Sequence, residues 1–95
     1  MQRIKFKDWD CVIEKGFYGN NRTALELVDA ENGEPIAVAT VNIPEFNVPE
    51  GYVLIKDWSE NEGIYDALLQ AGIVDKCGAF IPTGFVHAKM CKLLI

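Results

Sequence analysis

The amino-acid sequence predicts an α+β domain: a mostly antiparallel β-meander sheet of about six strands, with one α-helix over about residues 60–71 packed on it. Three observations carry that prediction. Apolar residues alternate with polar ones from Ile4 onward to Ile13, which is the period of a half-buried strand. Asn32-Gly33 lies between two apolar runs, a strong hairpin signal because both central residues of a tight turn need positive φ. From Ser59 to Gly72 the chain carries the start and stop signals of a helix around a single apolar stripe.

Taken in order, Ile4 and Phe6 mark a first strand, Lys7-Asp8 a tight turn, and Trp9, Cys11 and Ile13 a second strand ending near Tyr18. Trp9 and Phe17 are expected in the sheet core, and with Tyr18 they are also weighed as a surface patch. Gly19-Asn20-Asn21 tolerates positive φ and supplies the next turn. A three-residue loop there sets Ile13 beside Leu27 and Phe17 beside Thr23. A two-residue loop would set Glu14 beside Leu27, so the longer loop is the consistent one. With Asn32-Gly33 at the next tip, Leu27 pairs with Val38 and Leu25 with Thr40, while Val28–Ala37 and Ala24–Val41 fall on the other face. Ile36–Val41 is apolar or small on both faces, which predicts a central strand.

Two prolines and a glycine make 44–51 a loop, and Tyr52–Lys56 a short strand follows it. Ser59 with Glu62 reads as a capping box, each side chain satisfying the other's free backbone N–H. Ile64, Ala67, Leu68 and Ala71 recur at helical spacing and form the buried stripe. Gly63 in the first turn costs about 1 kcal/mol against alanine. Gly72 suits a left-handed residue just past the helix, with Ile73 folding back onto Leu68 or Leu69. Asp75–Gly78 is a turn, the segment up to Gly84 is ambiguous, and Pro82 confines any strand there to an edge. Phe85–Leu93 reads as the closing strand, with Val86, Ala88, Met90 and Leu94 toward the core and His87 and Lys89 opposite.

Size and charge narrow the function classes. Ninety-five residues, 49% hydrophobic and 24% charged, suit one ordinary globular domain. No run approaches the roughly 20 apolar residues of a membrane span. The N-terminal alternation of charge and hydrophobe lacks the apolar centre of a signal peptide. The expected location is the cytoplasm. The net charge is −5, and between Glu26 and Asp66 ten acids face a single base, Lys56. That argues against direct nucleic-acid binding, which needs clustered lysine and arginine, and it leaves room for a basic protein partner.

Among chemical candidates, Cys11, Cys77, His87 and Cys91 would make a Cys₃His zinc set. No two of them have the close spacing of zinc ligands, and on one strand His87 and Cys91 would stand roughly 13 Å apart. Three free thiols without a metal are therefore expected, and neither that strand geometry nor the spacing supports a Cys-His nucleophile pair. Gly72, Gly78 and Gly84 belong to turns rather than to a phosphate-binding loop. The chain calls for no cofactor. Asp57-Trp58-Ser59-Glu60-Asn61-Glu62 gathers three carboxylates and an indole at the helix start. Capping and favourable charge at the helix dipole account for much of it. The same stretch defines the candidate interaction surface: Trp58, Asp57, Glu60 and Glu62, with Tyr52 and Tyr65 nearby, since tyrosine and tryptophan are enriched at interface hot spots.

The runs Ala24-Leu25-Glu26-Leu27-Val28-Asp29-Ala30, Glu34-Pro35-Ile36-Ala37, Ile55-Lys56-Asp57-Trp58-Ser59-Glu60-Asn61-Glu62-Gly63 and Pro82-Thr83-Gly84-Phe85-Val86 resemble a family of small uncharacterised proteins of phages and mobile elements of gut bacteria. The resemblance implies an accessory protein and carries no catalytic residues. The leading expectation is a non-enzymatic binding module that engages a host protein or a small ligand, such as an anti-defence inhibitor, with a homo-oligomer as one form. The alternative is a small enzyme using Asp57, Glu60 or Glu62 as acid and base.

Overall fold

The computed structural model describes residues 2–95. It is an α+β fold with seven strands in two antiparallel sheets and one short helix. Strands β1 (Arg3–Phe6), β2 (Trp9–Phe17), β3 (Thr23–Asp29) and β4 (Pro35–Val38) form a four-stranded sheet in chain order. Strands β5 (Tyr52–Ile55), β6 (Ala79–Thr83) and β7 (Val86–Lys92) form a three-stranded sheet in the order β5-β7-β6. Helix α1 spans Ile64–Gln70.

The first two hairpins follow their turn chemistry. Ile4 pairs with Cys11 across the Lys7-Asp8 turn, where Lys7 takes a φ of 55°. The Gly19–Asn21 loop sets Ile13 opposite Leu27 and Phe17 opposite Thr23, as its length requires. Trp9 and Phe17 nevertheless lie outside the core, 45% and 70% exposed. They occupy opposite ends of β2, so they form no common patch. Alternation shows which face a residue is on but not how far along the strand the core extends.

The third hairpin departs from the expected register. Leu27 faces Ala37 rather than Val38, Glu26 faces Val38, and a bulge separates Leu27 from Val28. Asp29 explains the shift: its Oδ1 accepts the Glu31 N–H at 2.8 Å, turning the chain early. Asn32 Oδ1 accepts the Glu34 N–H at 2.9 Å, and the Asp29 N–H reaches the Glu34 carbonyl at 2.8 Å. The loop is therefore Ala30–Gly33, not a two-residue tip.

β4 is an edge of its sheet rather than a central strand. Its continuation changes partners instead. Ala39 N–H bonds to Leu25, while Lys56 N–H bonds to the Ala39 carbonyl and Val41 N–H to that of Leu54. Thr40 forms a bridge to Ile55, and this short crossing joins the two sheets. Thr40 Oγ1 also accepts the Leu25 N–H at 3.2 Å and lies 2.9 Å from the Tyr18 hydroxyl, so its buried oxygen is satisfied.

Two apolar clusters result. The larger draws Ile4, Phe6, Cys11, Ile13, Leu25 and Leu27 from the first sheet, Val53, Ile55 and Cys91 from the second, and Ile64, Leu68 and Ile73 from the helix region. The smaller comprises Ile43, Leu54, Ile81 and Ala88, with Phe46, Val48, Trp58 and Met90 packed against it. Ala88 and Cys91 thus belong to different cores, because alternate residues of β7 serve opposite faces. Arg22 secures the loop over the smaller core: its guanidinium donates to the Ile43 carbonyl at 2.6 Å and to those of Pro44 and Phe46.

Candidate functional site

The helix start differs from the capping box that Ser59 and Glu62 suggested. Ser59–Asn61 is a separate 3-10 turn with no side-chain cap, and Ser59 itself adopts a φ of 55°. Gly63 follows at φ 93°, breaking the chain between that turn and α1. Asp57 does the capping from further back. Its Oδ1 accepts the Gly63 N–H at 2.9 Å and the Tyr65 N–H at 3.2 Å, satisfying donors that a helix start leaves free. Asn61 is buried and pins the 3-10 turn to β4 through a 2.7 Å bond to the Val38 carbonyl. At the other end Gly72 is left-handed at φ 74°, and the Ile73 N–H bonds back to the Leu68 carbonyl at 3.0 Å.

The other oxygen of Asp57 holds Lys89 of β7, Nζ to Oδ2 3.1 Å. Lys89 Nζ also lies 5.5 Å from the Tyr65 ring centre and 6.0 Å from that of Phe80, within the range of cation–π attraction. Tyr65 in turn accepts the Cys77 N–H through its hydroxyl at 2.8 Å. The result is a fixed polar cluster of Asp57, Tyr65 and Lys89 at the joint between helix and second sheet.

Beyond it, the β6–β7 hairpin presents exposed aromatic surface. Phe80 is 62% exposed, and Phe85, at 107%, keeps its whole ring in solvent. Thr83 and Val86 close a two-residue turn in which Gly84 supplies the positive φ, 61°. Phe85 is therefore at the tip and not in the closing strand. β6 is an edge strand, as Pro82 requires. Alternation along the chain does not mark these rings as a site. The Thr83-Gly84-Phe85 turn was the available signal, since a tight hairpin ending on an aromatic puts that ring in water.

The candidate surface read from the sequence is only partly brought together. Asp57 and Tyr65 share the Lys89 cluster. Trp58 is half-buried and packs on the smaller core. Glu60 is exposed, pairs with Lys56 at 3.5 Å and accepts Lys7 Nζ at its carbonyl. Its carboxyl is held below the usual range by a hydrogen bond from its own backbone and then by Lys56. Glu62 is exposed. Tyr52, at the far end of β5, instead lines an open groove of about 620 Å³ with Lys15, Phe17, Arg22, Asn47 and Glu50. The cationic groups of that groove are already engaged: Arg22 in the loop contacts, Lys15 with the Ile95 carbonyl at 3.2 Å.

The three thiols are free, with Cys11 and Cys91 buried and Cys77 half-buried. Among the described residues no group of three or more His, Cys, Asp or Glu is disposed to hold a metal ion, and no helix is long and apolar enough to cross a membrane. Compared with family models, curated proteins and solved structures, the chain matches none.

Proposed function

We propose that this chain is a non-catalytic binding module whose partner is a protein, met through the β6–β7 hairpin. The observation that carries this reading is the exposure of Phe80 and Phe85 on that hairpin. Buried aromatic rings each remove on the order of 150–250 Å² from water, and exposed apolar surface beside fixed polar groups is the composition of an interface. Lys89, partnered by Asp57 and flanked by Tyr65, supplies those groups. The net charge of −5 favours a basic partner surface during encounter. The resemblance and the acidic middle make an accessory role in the bacterial cytoplasm the concrete form, with inhibition of a host defence protein as its example.

The carboxylate-enzyme alternative has less support. A general acid or base needs a pKa near the working pH, whereas the Glu60 carboxyl is shifted down. Both Asp57 oxygens are taken up in holding the helix start and Lys89.

Immobilised chain exposed to bacterial lysate, with quantitative mass spectrometry, tests the proposal. Wild type and a Tyr52→Ser control should retain one stoichiometric protein. The F80S/F85S double variant should lose at least about tenfold of that retention, as removal of hot-spot rings does, with its melting temperature unchanged. Undiminished retention by the double variant would refute the surface. Retention of a small molecule alone, or turnover of a substrate, would refute the protein-binding reading itself.

A further inference from the structure

The pairing of β7 changes register beside Cys91. On one side of it, Val74 bridges Leu93, the Asp75 N–H bonds to Lys92 at 2.8 Å and the Leu94 N–H bonds to Ile73 at 2.9 Å. On the other side Ala79 pairs with Met90, and the Gly78 N–H bonds to the Met90 carbonyl at 3.0 Å. Lys76, Cys77 and Gly78 together therefore oppose the single residue Cys91, and Cys77 is the middle of that bulge. A bulge re-aims a side chain locally. Here it packs Cys77 against the cluster that contains Cys91.

We propose that Cys77 and Cys91 form a two-cysteine oxidation site, in which the half-buried Cys77 reacts first with a small-molecule disulfide and the buried Cys91 then closes an internal disulfide. In the first step the Cys77 thiolate attacks one sulfur of the reagent, whose S–S bond breaks and releases one thiol. In the second the deprotonated Cys91 attacks Cys77 Sγ, the mixed disulfide breaks, and the second reagent thiol leaves. The two protein thiols lose two electrons and two protons, and the reagent gains them as two thiols. Accessibility assigns the order: Cys91 has no solvent-exposed surface, while Cys77 is half-buried. Tyr65 holds the bulge in place through the Cys77 N–H. Each Sγ donates to a backbone carbonyl, Cys77 to Ala79 at 3.1 Å and Cys91 to Lys89 at 3.6 Å, and a thiol is a weak donor. Burial, and then the Cys77 thiol, push the Cys91 pKa up to about 12. In the mixed disulfide Cys77 no longer carries a thiol, but burial still holds the Cys91 thiol above its ordinary range, so closure should quicken as pH rises and the thiolate fraction grows.

Oxidised glutathione added to the folded full chain is the probe, with acid quench, intact mass and non-reducing peptide mapping. The expected product has lost two hydrogens and carries a Cys77–Cys91 cross-link, with a transient glutathione adduct on Cys77 whose closure quickens with pH. C11S should behave like wild type, and C91A should stop at the adduct. A stable adduct on wild-type Cys77 with Cys91 left free would overturn the proposal, as would cross-linking that involves Cys11. Because the wild-type map alone decides, misfolding of C91A does not remove the test.

Discussion

Trp58 carries its indole against Ile43, Leu54, Ile81 and Ala88, closing the face of the second sheet that the helix does not cover. Trp58→Ala should therefore lower stability by about 3 kcal/mol, the low end for an aromatic truncation because the side chain is only half-buried. Denaturant unfolding measures this, and a cost below about 0.5 kcal/mol would instead fit a ring standing in solvent. Cys91 sets a second residue-scale expectation. Burial, and then the neighbouring Cys77 thiol, raise its pKa from an ordinary 9.0 to about 12 in the folded chain. Between those values the unfolded chain has released a proton that the folded chain keeps, so rising pH favours unfolding. Stability should fall from about pH 9 upward at up to about 1.4 kcal/mol per pH unit, and replacing Cys91 by alanine should flatten that slope. Burial also pushes the Cys11 thiol up, with Asp29 and Asp10 adding to it, so part of the slope should survive that replacement.

At the scale of the helix, the stripe Ile64, Ala67, Leu68, Ala71 and the left-handed Gly72 were legible because they depend on neighbours within two turns. The start was not. Ser59 and Glu62 have the spacing of a capping box, but Asp57 lies on the chain leaving β5 and reaches the Gly63 and Tyr65 N–H groups first. Nothing in local spacing ranks an acceptor six residues upstream above one inside the motif. The two accounts diverge under substitution. Asp57→Ala should cost about 2 kcal/mol, losing a cap and leaving the partly buried Lys89 without its carboxylate. Ser59→Ala should change little, and Ser59→Gly should stabilise by roughly 0.5–1 kcal/mol by relieving a positive φ. Thermal or urea melts of the three variants check the order, and a larger loss at Ser59 than at Asp57 would restore the capping box.

Over the whole molecule, the α+β class and the positions of β1, β2, β3 and β5 followed from alternation and turn residues, while β6 and the split into two sheets did not. The split depends on Ala39–Val41 leaving β3 to pair with β5, and a run that is apolar on both faces suits either partner. Asp29 hid the third register in the same way, by a side-chain bond that competes with the ladder. The proposed surface was half legible: Asp57 and Tyr65 belong to it, whereas Phe80 and Phe85 depend on a hairpin that the sequence left ambiguous. Amide hydrogen exchange of the free chain and of its complex with the retained protein tests the central claim most directly. The account predicts new protection over residues 79–92 and the Asp57–Tyr65 segment, with exchange unchanged around Lys15–Arg22 and Asn47–Tyr52. Protection confined to that groove, with the β6–β7 hairpin exchanging as it does in the free chain, would contradict it.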